Sequence, residues 1–149
     1  MSIDEFEQKI ARDEFAEYAK VFTNYYGTLK SEIIDRALAG KTVVLDIDVQ
    51  GAMQIKKACL NNEILRQTVS LIFIGPPSFA SLEQRLRSRA TDSEEQINIR
   101  LNEAKHELSF WREYDYLVVN DDLAKAATQL TALLQSLQLK TALLTDEPF

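Results

Sequence analysis

Asp46 and Asp48 stand two residues apart at the end of the apolar run Val43–Ile47. In an extended chain, residues i and i+2 face the same way, so one strand end would present two carboxylates together. Open α/β sheets bind ligands outside the carboxyl ends of their strands. Such a pair suits a metal, a set of N–H donors or basic partners, because acids taken out of water are costly unless matched. Helix capping in solvent is the competing use. Just upstream, Gly40-Lys41-Thr42 imitates the tail of a phosphate-binding P-loop. A complete loop needs a glycine at position 35, where Asp35 stands, and it must follow a strand and open a helix. Here the tripeptide closes a helical stretch and opens a strand. The imitation fails, and the four glycines of the chain offer no other such loop.

A basic cluster is the second candidate. Arg85, Arg87 and Arg89 fall within Gln84–Arg89, and Arg100 follows one element later. Arg85 and Arg89 are four apart, hence on one helix face. Arginine forks suit phosphate oxygens and can close over a transferring phosphoryl group. A solvated helix face balanced by Asp92, Glu94 and Glu95 is the alternative. Glu17 with Tyr26-Gly27-Thr28 is the third. A carboxylate, a phenol and a hydroxyl can read a base edge and grip a phosphate.

These side chains need elements to hold them. Apolar spacing predicts a helix over 3–12 and a strand over 14–22, then an aromatic turn over 23–28 and a helix over 29–39 with Gly40 as its C′ glycine. Val43–Ile47 reads as a strand of a buried parallel sheet, followed by a helix over 50–58. Residues 61–67 carry no decisive pattern. A second buried strand, Val69–Ile74, is stopped by Gly75-Pro76-Pro77. A helix over 78–89 follows, and Thr91 with Glu94 forms a capping box for the next. That helix carries Ile97, Leu101, Ala104, Leu108 and Trp111 on one stripe, which places Trp111 in the core. Tyr116–Val119 is a third strand and Leu123–Leu137 a closing helix, with a loosely held tail after it. Alternation of this kind implies an α/β fold with a parallel sheet and flanking helices.

Composition narrows the function classes. The 149 residues are 46% hydrophobic, enough for one domain with a real core. Seventeen basic against 23 acidic residues leave a net charge of −6, which argues against binding nucleic acid or an anionic membrane. Cys59 is the single cysteine and His106 the single histidine, so neither a disulfide framework nor a histidine-rich metal site is expected. The start, Met-Ser-Ile-Asp-Glu-Phe-Glu, has no leader character, and no apolar run approaches the ~20 residues that span a bilayer. A cytoplasmic protein is expected.

In order along the chain stand Glu14-Phe15-Ala16-Glu17-Tyr18-Ala19, Asn24-Tyr25-Tyr26-Gly27-Thr28, Leu45-Asp46-Ile47-Asp48-Val49-Gln50-Gly51, Pro76-Pro77-Ser78, Arg89-Ala90-Thr91-Asp92-Ser93-Glu94-Glu95 and Val118-Val119-Asn120-Asp121-Asp122. With this order and spacing the chain resembles guanylate kinase from about residue 4 to about residue 135. The resemblance implies a P-loop nucleoside monophosphate kinase-like fold in a single domain over 1–149. Residues 1–39 would be part of a small GMP-binding subdomain, 40–137 the core with a lid at about 83–96, and 138–149 a tail. It implies ATP-dependent phosphorylation of GMP with Mg²⁺ carried by ATP and no direct protein ligand to the metal. Glu17, Thr28 and Asp48 would recognise the guanine base and Tyr26 the GMP phosphate, with Asp46 near the phosphates and magnesium. Arg85, Arg89 and Arg100 match the arginines of the closing lid and the helix after it, and Asn120 a residue beside the adenine pocket.

Departures from the family are expected to matter. Ala90 stands at a usual glycine, and Lys20 and Phe22 replace common alternatives near the base site. The family's first strand and P-loop, and the arginine-rich segment and tyrosine that grip the GMP phosphate, have no counterpart in these residues. The chain by itself is therefore expected to transfer phosphate poorly or not at all, and to offset the missing strand by self-association or repacking. A non-catalytic guanylate-kinase-like interaction module is the alternative function.

Overall fold

The computed structural model describes residues 1–88 and 93–140, which gather into two compact units. One runs from Met1 to Val69 and takes up the chain again at Gln138; the other is Ser70–Leu137.

The first unit opens with helix α1 (Ile3–Ala11), where the Ser2 hydroxyl accepts from Glu5 N–H and the Glu5 carboxylate accepts from Ser2 N–H. This reciprocal cap satisfies two of the donors that a helix start leaves open. Strands β1 (Phe15–Val21) and β2 (Asn24–Leu29) pair antiparallel through a two-residue turn, Phe22-Thr23. The aromatic turn expected over 23–28 is therefore mostly strand. Tyr25, Tyr26 and Thr28 are good strand residues, and cross-strand pairing overrides the turn signal of Gly27. Phe22 takes the left-handed conformation of the tight turn, at φ 54°, and is 93% exposed. Gly27 sits opposite Tyr18 because nothing larger fits: a Cβ there would lie 2.7 Å from the Glu17 carbonyl oxygen and 2.8 Å from Tyr18 Cβ.

Helix α2 (Lys30–Leu38) ends as expected at Gly40, whose φ of 68° is the left-handed C′ conformation. Helix α3 (Val49–Leu60) packs on β1, and α4 (Glu63–Thr68) packs on both α2 and α3. Helix α4 occupies the stretch that sequence pattern left unassigned; its signal is Asn62, whose side chain accepts from Leu65 N–H as an N-cap. The core here holds Phe6, Phe15, Ala16, Ile33, Ala52, Ile55 and Leu65. Phe6 stacks on Phe15 and Tyr25, with ring centroids 4.1 Å and 4.9 Å apart.

The expected strand Val43–Ile47 joins neither sheet of the described residues. Its exposure still alternates: Val43, Leu45 and Ile47 are half-buried, while Val44, 69% exposed, and Asp46 face water. An apolar run with that period is strand-like, but a strand is defined by ladder pairing, and among the described residues this run belongs to no ladder.

In the second unit, β3 (Ile72–Gly75) and β4 (Tyr116–Val119) form the parallel pair that the alternation of elements implied. Strand β3 starts later than expected, because Val69 closes α4 with its N–H on the Leu65 carbonyl. Between the strands lie α5 (Phe79–Ser88) and α6 (Glu94–Leu108), and α7 (Leu123–Leu137) follows and packs on β4. The N-cap of α6 is Ser93, in a capping box with Gln96, instead of the expected Thr91–Glu94 pair; Thr91 lies outside the described residues. Trp111 is not core: α6 ends at Leu108, and the turn of 3₁₀ helix Trp111–Glu113 leaves the indole 40% exposed under the Arg112 guanidinium. The core of this unit holds Phe73, Ile97, Leu101, Val118 and Ala126.

Candidate functional site

The first unit brings three of the expected residues together. Glu17 lies in β1 beside a β-bulge: Phe15 pairs with Leu29, but Glu17 already pairs with Thr28. The extra residue breaks the in–out alternation, so Phe15, Ala16 and Glu17 are all buried in succession. Bulges are a common device for re-aiming one side chain. Here the re-aimed side chain is a carboxylate only 9% exposed. Thr28 donates its hydroxyl hydrogen to Glu17 Oε1 at 2.7 Å, which offsets part of the cost of burial.

Asp48 is reached from the other side. It is the N-cap of α3, with Oδ1 accepting from Gly51 N–H at 2.8 Å. Both readings of the aspartate pair therefore meet in this residue, which caps a helix and lies at the site. Gly51 is the point of convergence. A Cβ on it would lie 3.4 Å from Glu17 Oε2, 3.5 Å from Asp48 Oδ1 and 3.3 Å from Ile47 Cβ. The bare glycine thus lets the first turn of α3 approach the Glu17 carboxylate. Asp46 is exposed two residues earlier, and Tyr26, 59% exposed, stands on β2 opposite Ala19.

Two carboxylates gathered beside a hydroxyl and a helix N-terminus offer acceptors that suit hydrogen-bond donors on a planar edge. Gly27, Gly51 and Gln54, whose side chain bonds the backbone of β1, were not among the residues picked out for chemistry. Gly27 and Gly51 stand inside the motifs above; nothing in the sequence ties Gln54 to β1.

The second unit holds Arg85, Arg100 and Asn120; Arg89 lies outside the described residues. Arg85 spends its fork on backbone: Nη1 donates to the Asn120 carbonyl at 2.7 Å and Nη2 to the Asp121 carbonyl at 3.3 Å. Asn120 in turn donates its N–H to the Gly75 carbonyl at 2.7 Å, closing the β3–β4 ladder. Arg85 therefore ties α5 to the chain just past β4. Arg87 pairs with Glu83 and Glu94, whose hydrogen bonds hold its guanidinium above the usual arginine range, Glu94 first. Arg100 is exposed on α6.

A guanylate kinase family model matches residues 1–137. The guanylate kinase of Maricaulis maris is 45% identical over 140 residues, covering 94% of this chain and 62% of its own length. That of Francisella tularensis is 48% identical over 130 residues, covering 87% of this chain and 65% of its own. The crystal structure of guanylate kinase from Anaplasma phagocytophilum superposes with a TM-score of 0.67 at 32% identity, over 95% of this chain and 65% of that one. The fold class is that of the P-loop nucleoside monophosphate kinases. Within it, this chain belongs to the guanylate kinase family. It spans less than two thirds of the length of each of these relatives.

Proposed function

We propose that this chain binds GMP, with the guanine edge on Glu17, Thr28 and Asp48, as the acceptor of a phosphoryl group from ATP. The observation that carries this reading is the buried Glu17 carboxylate, oriented by Thr28 and set against the capped start of α3. Guanine offers a ring N–H and an exocyclic amine side by side, both donors. Ionised carboxylates accept and never donate, so they match that edge. Adenine presents a ring nitrogen lone pair there, which a carboxylate repels. Tyr26, exposed on β2, supplies a phenol for the nucleotide phosphate.

Arg85, Arg89 and Arg100 would neutralise charge developing on the transferred group, and Asn120 would border the adenine of ATP. Mg²⁺ would arrive with ATP, held by its phosphates without a direct protein ligand, and the exposed Asp46 would lie near the phosphates and the ion. A cytoplasmic location fits free nucleotides as substrates. None of the four glycines stands in a G-x-x-x-x-G-K-[ST] loop, so the 149-residue chain assayed by itself transfers phosphate slowly. Turnover at the ordinary kinase rate of about 1–100 s⁻¹ would contradict this. The exposed apolar residues Val44, Ile74, Leu117 and Val119 favour self-association, which sedimentation tests; a monomer at every concentration would count against it.

Calorimetry on the chain decides the base reading. GMP is expected to bind more tightly than IMP, which lacks the exocyclic amine, and IMP more tightly than AMP. Equal affinities for GMP and AMP would refute it.

A further inference from the structure

Gln54 lies on α3 one turn past Gly51, and its side-chain amide engages the backbone of β1 in both directions. Tyr18 N–H donates to Gln54 Oε1 at 3.0 Å, and Gln54 Nε2 donates to the Tyr18 carbonyl at 3.0 Å. Paired bonds of this kind are what one residue of a strand exchanges with a residue on its neighbour. One side chain thus takes the place of a strand at that point of β1. Tyr18 directly follows Glu17, so the clamp closes one residue away from the buried carboxylate.

We infer that Gln54 is a positioning residue for base recognition, holding α3 in register on β1 so that Gly51 and Asp48 meet Glu17. The inference rests on the reading of Glu17 and Asp48 as the base-reading carboxylates. Its geometry is that of two points fixing a rod. Near Gly51 the helix meets β1 by close approach to Glu17, a contact without the directionality that would fix slide and roll. A second attachment three residues on, through two hydrogen bonds of defined direction, removes both freedoms. A slide along β1 or a roll about the helix axis would move the Asp48 cap and the amide of Gly51 relative to the Glu17 carboxylate. Displacements of about 1 Å in such constellations cost up to a hundredfold in function.

The test uses the full chain with Gln54→Met, which keeps length and removes both bonds, and Gln54→Glu, which keeps the acceptor but loses the donor. Ala58→Gly is the control, since it weakens the same helix at a buried position without touching the clamp. Side-chain scalar couplings of Glu17 in the ligand-free protein report whether its carboxylate keeps one rotamer. Calorimetry gives affinities for GMP, AMP and ribose 5-phosphate. Gln54→Met is expected to average the Glu17 couplings and to narrow the preference for GMP over AMP by about tenfold. Ribose 5-phosphate affinity should stay within about twofold of the unmodified chain, because the sugar phosphate does not depend on the base edge. Gln54→Glu should fall between, and Ala58→Gly should melt lower with couplings and preference unchanged. Should Gln54→Met fail to fold, Gln54→Glu decides by the same two readouts. Couplings and preference unchanged in the Gln54 variants, or changed equally in Ala58→Gly, would overturn the inference. If the unmodified chain itself showed no preference for GMP over AMP, the base reading would fall, and the Glu17 couplings alone would still decide the role of Gln54.

Discussion

Thr28 gives its hydroxyl hydrogen to Glu17 across the β1–β2 hairpin, and the two residues are also backbone partners in its register. The same rung therefore sets the distance between the strands and the direction of the carboxylate. Cross-strand neighbours on one face are close enough for short side chains to meet, which is why a threonine suffices here. The bulge at the preceding step turns Glu17 inward, and Thr28 is the group that makes burial there tolerable.

Removing that hydroxyl should be felt twice. Thr28→Val keeps shape and strand propensity but leaves Glu17 Oε1 without its donor, at a cost of about 1–3 kcal/mol in urea denaturation. GMP affinity should fall by about tenfold, the equivalent of one hydrogen bond of about 1.4 kcal/mol. Thr28→Ser should recover most of both. Unchanged affinity in Thr28→Val would show that the orientation of Glu17 does not depend on this hydroxyl.

Asp48 has two duties that different substitutions separate. Asparagine caps helices about as well as aspartate, whereas alanine forfeits the bond to Gly51 N–H. Asp48→Ala should lose about 1 kcal/mol of stability, and Asp48→Asn only a few tenths. Both should lose GMP affinity, by about tenfold or more, because the negative acceptor is gone in each. Thermal melts beside calorimetry make the comparison. Full GMP affinity in Asp48→Asn would reduce Asp48 to a cap.

Arg85 should behave as a structural tie in the absence of any nucleotide. Its fork reaches two successive carbonyls, a geometry that the single ammonium of lysine cannot reproduce. Arg85→Lys is expected to cost about 1.5 kcal/mol, the lower range for hydrogen bonds from charged groups, since the site is partly wet. Amide exchange should quicken at Asn120, whose N–H closes the β3–β4 ladder. Exchange and stability equal to those of the unmodified chain would leave Arg85 with no structural share.

What could be read from the sequence, and what could not, follows from the range of the interactions concerned. Glu17, Thr28 and Asp48 stand in short motifs, and the structure does bring the three together. The C′ role of Gly40 was legible because it is local to the helix end it closes. Gly27 misled for the reason that makes it necessary: glycine signals a turn, but here it is bare so that β2 can lie against Tyr18. The capping box read at Thr91–Glu94 was misplaced by two residues, because the Ser93 hydroxyl accepts from Gln96 N–H and fills the cap of α6. Val43–Ile47 has the apolar content of a buried strand, but pairing depends on a neighbour that its own residues do not specify. The clamp of Gln54 on Tyr18 links residues 36 apart, beyond any periodicity.

Acid should loosen α1 by a mechanism that one substitution can isolate. Hydrogen bonds from the Ser2 backbone, then from its hydroxyl, hold the Glu5 carboxyl below its ordinary value of 4.5. Glu14 is likewise lowered, mainly by the hydrogen bond from the Lys9 ammonium. A carboxylate depressed in the folded state contributes stability that is fully present above its unfolded value. That contribution fades as pH falls through the folded value, because the unfolded chain takes up the proton first. The loss should therefore begin near pH 4.5 and deepen below it. Amide exchange or NMR shifts along α1, followed from about pH 6 to about pH 3, should show its first turn fraying over that window. Glu5→Gln keeps a capping-box residue while removing the titration, so its first turn should hold across the range apart from what Glu14 contributes. If Glu5→Gln frayed on the same curve as the unmodified chain, the acid response would have to arise elsewhere than at this cap.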